Sequence, residues 1–173
     1  MKLLTLLLSL TIFISTLNAG EKENVIKGVV LERISQFIDY NNTNNNFKIC
    51  VYKNKTLASS FEKLYEERDY KGLSIKIEKI NKIEDISNCN IFYASDLNNK
   101  TLKKIIAKDL KKTLLVGEKL DDVEKGFMIA LYFEKKKLRF AINHSAIEEA
   151  GLSVNYRLLQ VASKVVDPVK VKR

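Results

Sequence analysis

Between residues 23 and 117, segments with the apolar spacing of a helix alternate with short apolar runs. No other feature constrains the fold so strongly. Residues 23–39 place Val25, Ile26, Val29, Val30, Ile34, Phe37 and Ile38 at three- and four-residue steps, with Lys27, Glu32, Arg33 and Asp39 on the polar side. FKICVY (47–52) reads as a strand, and residues 56–69 as a helix with Leu57, Phe61, Leu64 and Tyr65 facing inward. LSIKIEKI (73–80) alternates as a half-buried strand does, whereas NIFYA (90–94) and TLLVG (113–117) are continuous apolar runs suited to strands covered on both faces. Between those two runs, Leu102, Ile105, Ile106 and Leu110 mark a helix within residues 97–110. Strands linked through helices run parallel with right-handed crossovers, so the chain predicts a mostly parallel α/β sheet.

The rhythm breaks at FMIALYFE and KLRFAIN, two strand-like runs joined near residues 134–137, which predict an antiparallel hairpin closing the sheet. A short helix over residues 145–150 should stop at Gly151. Ser153 is then placed to cap a last helix with Leu158, Leu159, Ala162 and Val165 inward, before Pro168 and a basic tail. Asn41 to Asn46 contain no apolar residue and predict a loop.

The 173 residues suit one domain of roughly 100 to 200 residues. An apolar share of 46% and a charged share of 29% exclude collagen-like, coiled-coil and wholly disordered chains. One His rules out a multi-histidine metal centre, and two Cys rule out a disulfide-dense miniprotein. At the start, Lys2 precedes an uncharged apolar run from Leu3 to Leu17 and then Ala19, the layout of a cleaved secretory leader over residues 1–19 with a single mature domain over 20–173. The run is short for a spanning helix of about 20 residues. The net charge of +9 comes almost wholly from Lys; Arg33, Arg68, Arg139, Arg157 and Arg173 are the arginines. Export separates this basic chain from cytoplasmic nucleic acid, leaving solubility, anionic lipid or an acidic partner as physical meanings of its charge.

From these elements the chain resembles the YfiR family of periplasmic proteins over nearly its whole mature length. The strings that carry the resemblance are Gly126 before the hairpin, Arg139 to Asn143 (RFAIN), the Ala150 to Leu152 turn, and Asn155 to Leu159 with Asn155 where Ser is usual. The opening helix VIKGVVLERISQFIDY is also similar, although Tyr40 and Asn41 stand where Trp-Pro often follows and Phe127 replaces a second Gly. The resemblance implies a three-layer α/β/α sandwich without catalytic residues, cofactor or metal. It implies a regulator that inhibits an inner-membrane diguanylate cyclase by binding its periplasmic domain, lowering cyclic di-GMP signalling. An outer-membrane lipoprotein and a second copy of the chain are further candidate partners, and nucleic acid is not one.

Candidate residues follow from both readings. Cys50 lies in the first core strand and Cys89 directly precedes NIFYA, which a doubly wound order sets beside it. An even count in an oxidising compartment favours a disulfide over two buried thiols, and the resemblance agrees. Candidate partner-binding residues are Val29, Arg33 and Phe37 on the first helix and Arg157 and Leu158 on the last. His144 reads as a surface or capping residue, and its neighbour Ser145 points the other way in an extended chain, so the two form no nucleophile and base. The glycines form no phosphate-binding motif. Asp121, Asp122 and Glu124 read as a solvated loop, and Lys135 to Lys137 and the lysines from Lys103 to Lys112 as solvated faces. The N-x-S/T strings at Asn41, Asn54, Asn99 and Asn143 read as chance matches. The competing functional class is a small-ligand-binding domain using the strand carboxyl ends near residues 94–96 and 117–119, where open α/β sheets take ligands.

Overall fold

The apolar runs of the middle of the chain are the centre of the sheet. The computed structural model describes residues 19–40 and 45–166. Residues 1–18, which hold all but the last residue of the expected leader, residues 41–44 and the tail from residue 167 lie outside the described residues. In chain order the elements are α1 (Ala19–Gln36), β1 (Ile38–Asp39), β2 (Asn46–Tyr52), α2 (Lys55–Tyr65), β3 (Asp69–Tyr70), β4 (Leu73–Ile80) and a 3-10 segment (Ile83–Asn88). Then come β5 (Ile91–Ala94), α3 (Asn99–Ile106), β6 (Leu114–Gly117), a second 3-10 turn (Leu120–Asp122), β7 (Ile129–Glu134), β8 (Lys137–Asn143) and α4 (His144–Glu149). β9 (Ser153–Val154), α5 (Tyr156–Val161) and β10 (Lys164–Val166) complete the described chain.

The main sheet has the order β10-β8-β7-β6-β5-β2-β4-β3. From β4 through β7 its five strands are parallel, while β8 runs antiparallel to β7 and β3 antiparallel to β4. Every residue of β5 and β6 is buried, as uninterrupted apolar runs in a sheet covered on both faces must be. α1 and α2 pack together on one face: Tyr65 of α2 donates its hydroxyl to the carbonyl of Gly28 at 2.6 Å, and Phe61 packs edge-on to Tyr93 of β5. On the other face lie α3 and α4, whose Ile106 and Ala146 line one cleft with Leu115 and Met128. The architecture is the expected three-layer sandwich, mostly parallel, with an antiparallel C-terminal hairpin.

Asparagine starts four of the helices. The side chains of Asn54, Asn98, Asn143 and Asn155 accept hydrogen bonds from the backbone N–H groups of Leu57, Thr101, Ala146 and Arg157. Two N-x-S/T strings, at Asn54 and Asn143, thus have a structural reason. Lys135 and Lys136 form the two-residue hairpin turn with φ of 47° and 64°, the left-handed backbone such a turn requires.

Several sequence expectations are corrected. α1 turns a different face inward: Lys27, Gly28, Leu31, Ile34 and Ser35 are buried, whereas Val25 and Ile26 are exposed. Gly28 is the cause. A Cβ there would run into Leu64 and Phe61, so its absence lets α2 seat against this stripe. The first helix ends at Gln36, because Ile38 and Asp39 pair with Val154 and Ser153. The second ends at Tyr65, and Asp69 and Tyr70 form β3. Ser153 lies in β9, and the last helix is capped by Asn155 instead. That helix stops at Val161, leaving Val165 exposed in the edge strand β10 rather than inward on a helix.

Candidate functional site

β2 and β5 are adjacent, yet the chain leaves them in opposite directions, β2 through α2 to β4 and β5 through α3 to β6. Such a topological switch point opens a crevice at the strand carboxyl ends. Here Asn54, just beyond β2, donates its Nδ2 to Ser95 Oγ beyond β5 at 2.9 Å, so one side chain both caps α2 and bridges the crevice. Lys53 and Asp96, which follow the two strands, hold left-handed φ of 52° each. Next along the edge, Glu118 accepts from Lys27 Nζ at 2.8 Å and from the Tyr93 hydroxyl at 2.9 Å. The Lys27 and Glu118 side chains are only 11% and 20% exposed, so this ion pair pins α1 over β6 from a largely dry position. Burial first, and the Glu118 carboxylate second, push the Tyr93 phenol well above its ordinary range, keeping it a proton donor to that carboxylate.

Between the amino ends of α1 and α2 lies a groove of 620 Å³ lined by polar side chains, among them Glu21, Glu23, Asn24, Asn54, Thr56 and Lys63. Carboxylates, amides, a hydroxyl and an ammonium suit a polar ligand with charges of both signs. The crevice was legible in the sequence from residues 94–96 and 117–119. Lys27 was not, because a lysine at a helical step reads as solvent-facing.

His144 lies at the opposite edge of the sheet, where β8 ends beside the start of β7, with Nε2 3.6 Å from Glu148. Asp121 pairs with Lys125 at 2.6 Å and Glu124 with Lys164 at 2.5 Å, but Asp122 departs from the solvated loop expected for this triplet. It is buried under Gly117, accepts the Lys119 N–H at 2.9 Å, and desolvation raises its carboxyl above the ordinary 3.8. Among the described residues, no group of three or more His, Cys, Asp or Glu is placed to hold a metal ion. None of the described helices is long and apolar enough to cross a membrane. Cys50 and Cys89 are joined by a disulfide with Cα atoms 5.8 Å apart, tying β2 to the entry of β5.

The two helices that carry the five residues singled out for partner binding come together at their ends. Pairing of β1 with β9 brings the end of α1 beside the start of α5, and Asn155 N–H donates to the Phe37 carbonyl at 2.8 Å. Arg33, Phe37 and Arg157 are exposed and Val29 is half-buried. Leu158 is 3% exposed, because the first turn of α5 rotates it into the core; its exposed apolar neighbour, which the sequence did not single out, is Tyr156.

Fold and site define a doubly wound α/β domain with a polar crevice at its switch point. A family model described as YfiR/HmsC-like (DUF4154) matches residues 24–163, and the chain belongs to that family. No curated protein matches it. Among solved structures it is similar to an ABC domain in complex with L-Trp from Streptococcus pneumonia, with TM-score 0.55, 11% identity, and 78% of this chain and 59% of that one covered. It is also similar to a conserved domain protein from Vibrio cholerae, with TM-score 0.52, 17% identity, and 80% and 60% covered. The chain thus spans 59% and 60% of the lengths of these two, and the likeness is one of fold.

Proposed function

We propose that the protein is a non-enzymatic periplasmic regulator that binds the periplasmic domain of a membrane-anchored diguanylate cyclase and lowers cyclic di-GMP signalling. The observation that carries this reading is the YfiR/HmsC-like match over residues 24–163. The surface offered for the contact is the outward stripe of α1, in which Ile26, Val29, Arg33 and Phe37 succeed one another at three- and four-residue steps, continued by Tyr156 and Arg157 across the β1–β9 pair. Apolar side chains beside arginines are the composition that protein interfaces favour. Deleting the gene should raise cellular cyclic di-GMP, and the tagged protein should co-purify with a cyclase carrying a periplasmic domain. Unchanged cyclic di-GMP together with no such cyclase in the eluate would defeat the proposal.

A second reading has its own support: the crevice and groove at the strand carboxyl ends, in a fold similar to a domain crystallised with L-Trp, suit a small zwitterionic ligand. Equilibrium dialysis against amino acids tests it. Uptake that Asn54→Ala weakens, with a transporter rather than a cyclase encoded alongside, would favour this reading over the first.

A further inference from the structure

The sequence of α3, NKTLKKII, holds three lysines and no acid, and Lys108 follows within the next turn, its N–H donating to the Ile105 carbonyl at 3.1 Å. Leu102 and Ile105 are buried toward the sheet, while Lys100, Lys103, Lys104, Ala107 and Lys108 are exposed. The outward side of the helix is therefore a lysine ridge. Lys100 with Lys103, Lys100 with Lys104, and Lys104 with Lys108 are like charges at three- and four-residue steps, an arrangement that weakens a helix. Flanking Lys111 and Lys125 pair with Asp109 and Asp121 at 2.8 and 2.6 Å, but among the described residues the four ridge lysines have no ion-pair partner. The acids of this face, Glu148 and Glu149, belong to α4, across the cleft beside half-buried Ile106, where Lys111 Nζ donates to the Glu149 carbonyl at 3.0 Å. On the opposite face α1 sets Glu21, Glu23 and Glu32 against Lys22, Lys27 and Arg33, so its charge is balanced.

The composition of the ridge selects its partner. Protein interfaces favour arginine and aromatic side chains and are poor in lysine, whereas this ridge has only lysines and Ala107. Lipid headgroups are a fluid array of phosphates, which long, flexible lysines reach as point charges without a fixed geometry. Beside the ridge a hollow of 290 Å³ is lined by Asn99, Leu102, Lys103 and Lys125. An amide and two ammonium groups next to an apolar side chain match a headgroup phosphate and the glycerol behind it. The crossovers through α2 and α3 leave the sheet in opposite directions and so lie on opposite faces. A bilayer against α3 would thus leave the outward stripe of α1 uncovered.

We infer that the lysine ridge of α3 is a docking face for an anionic lipid surface, a role independent of the cyclase reading. Flotation of the mature protein with vesicles of phosphatidylcholine, alone or mixed with phosphatidylglycerol, measures the partitioning. The protein should float with the anionic vesicles only, and less as salt is raised. Each lysine near an anionic surface strengthens partitioning about 5-fold, so Lys100→Gln/Lys103→Gln/Lys104→Gln should weaken it about 100-fold. Lys22→Gln/Lys55→Gln/Lys63→Gln removes the same charge from the α1 and α2 face and should change it about 3-fold or less, because the sheet and both helix layers hold those sites beyond the screening length. Lys100→Arg/Lys103→Arg/Lys104→Arg keeps the charge and should bind as the wild type does, which separates lost charge from lost fold. A wild type that ignores anionic vesicles, or floats equally with phosphatidylcholine alone, overturns the inference. So does an equal loss from the two glutamine variants, which would make net charge rather than this face the cause, or an arginine variant that fails along with the ridge glutamines.

Discussion

Removing the disulfide gives the most direct test of how this small domain holds its sheet together. Cys50 and Cys89 are 39 residues apart, and closing a loop of that length in the unfolded chain contributes about 4 kcal/mol by the chain-entropy relation. Both sulfurs are buried, so Cys50→Ala/Cys89→Ala also loses packing worth about 1 kcal/mol at each site. For a domain of this size, 1 kcal/mol moves the thermal midpoint by roughly 2 to 4 °C. Thermal unfolding followed by circular dichroism should therefore show the oxidised protein melting about 8 to 16 °C above the same protein reduced with dithiothreitol, and the double alanine variant melting lower still. The reduced wild type isolates the cross-link, because its thiols keep their volume in the core. A difference between oxidised and reduced protein below about 3 °C would show that the unfolded chain gains little freedom when the bond opens, and the loop argument would fail.

Gly117→Ala should destabilise the protein by about 1 to 3 kcal/mol, because the new Cβ would run into the Asp122 carboxylate; urea unfolding measures it, and most of the loss should vanish in an Asp122→Ala background. Asp122 is an acid whose folded pKa is raised by desolvation, so the folded state holds its proton longer than the unfolded state does. Its contribution to stability therefore falls as pH rises from 3.8 through the raised folded value, and Asp122→Asn should flatten that part of the stability profile; an unchanged profile would contradict the assignment. Arg157→Glu, at an exposed position, should leave the thermal midpoint within about 2 °C of wild type while weakening capture of the cyclase domain, and a collapse of stability would make Arg157 a structural residue instead.

The sequence by itself determined the layers and the central strands. FKICVY, NIFYA and TLLVG are apolar without interruption, and only strands covered on both faces bury such runs, so β2, β5 and β6 followed from local pattern alone. The crevice followed too, since strand carboxyl ends in a parallel sheet are set by strand order. Tertiary structure decided which side of α1 faces inward. Periodicity favoured Val25 and Ile26, but the side-chain-free surface at Gly28 lets α2 approach closely, and that contact buries Lys27 against Glu118 and turns the two apolar residues to solvent. It also decided the fate of Asp122, acidic in a loop yet tucked beneath a glycine, and of Ser153, which pairs in β9 while Asn155 caps α5. The two-residue pairing of β1 with β9 carries too little local pattern to be read, because hydrogen bonds between segments more than a hundred residues apart depend on where the intervening fold sets their ends. Local pattern fixes what must be buried; how closely two surfaces approach decides which groups share that burial.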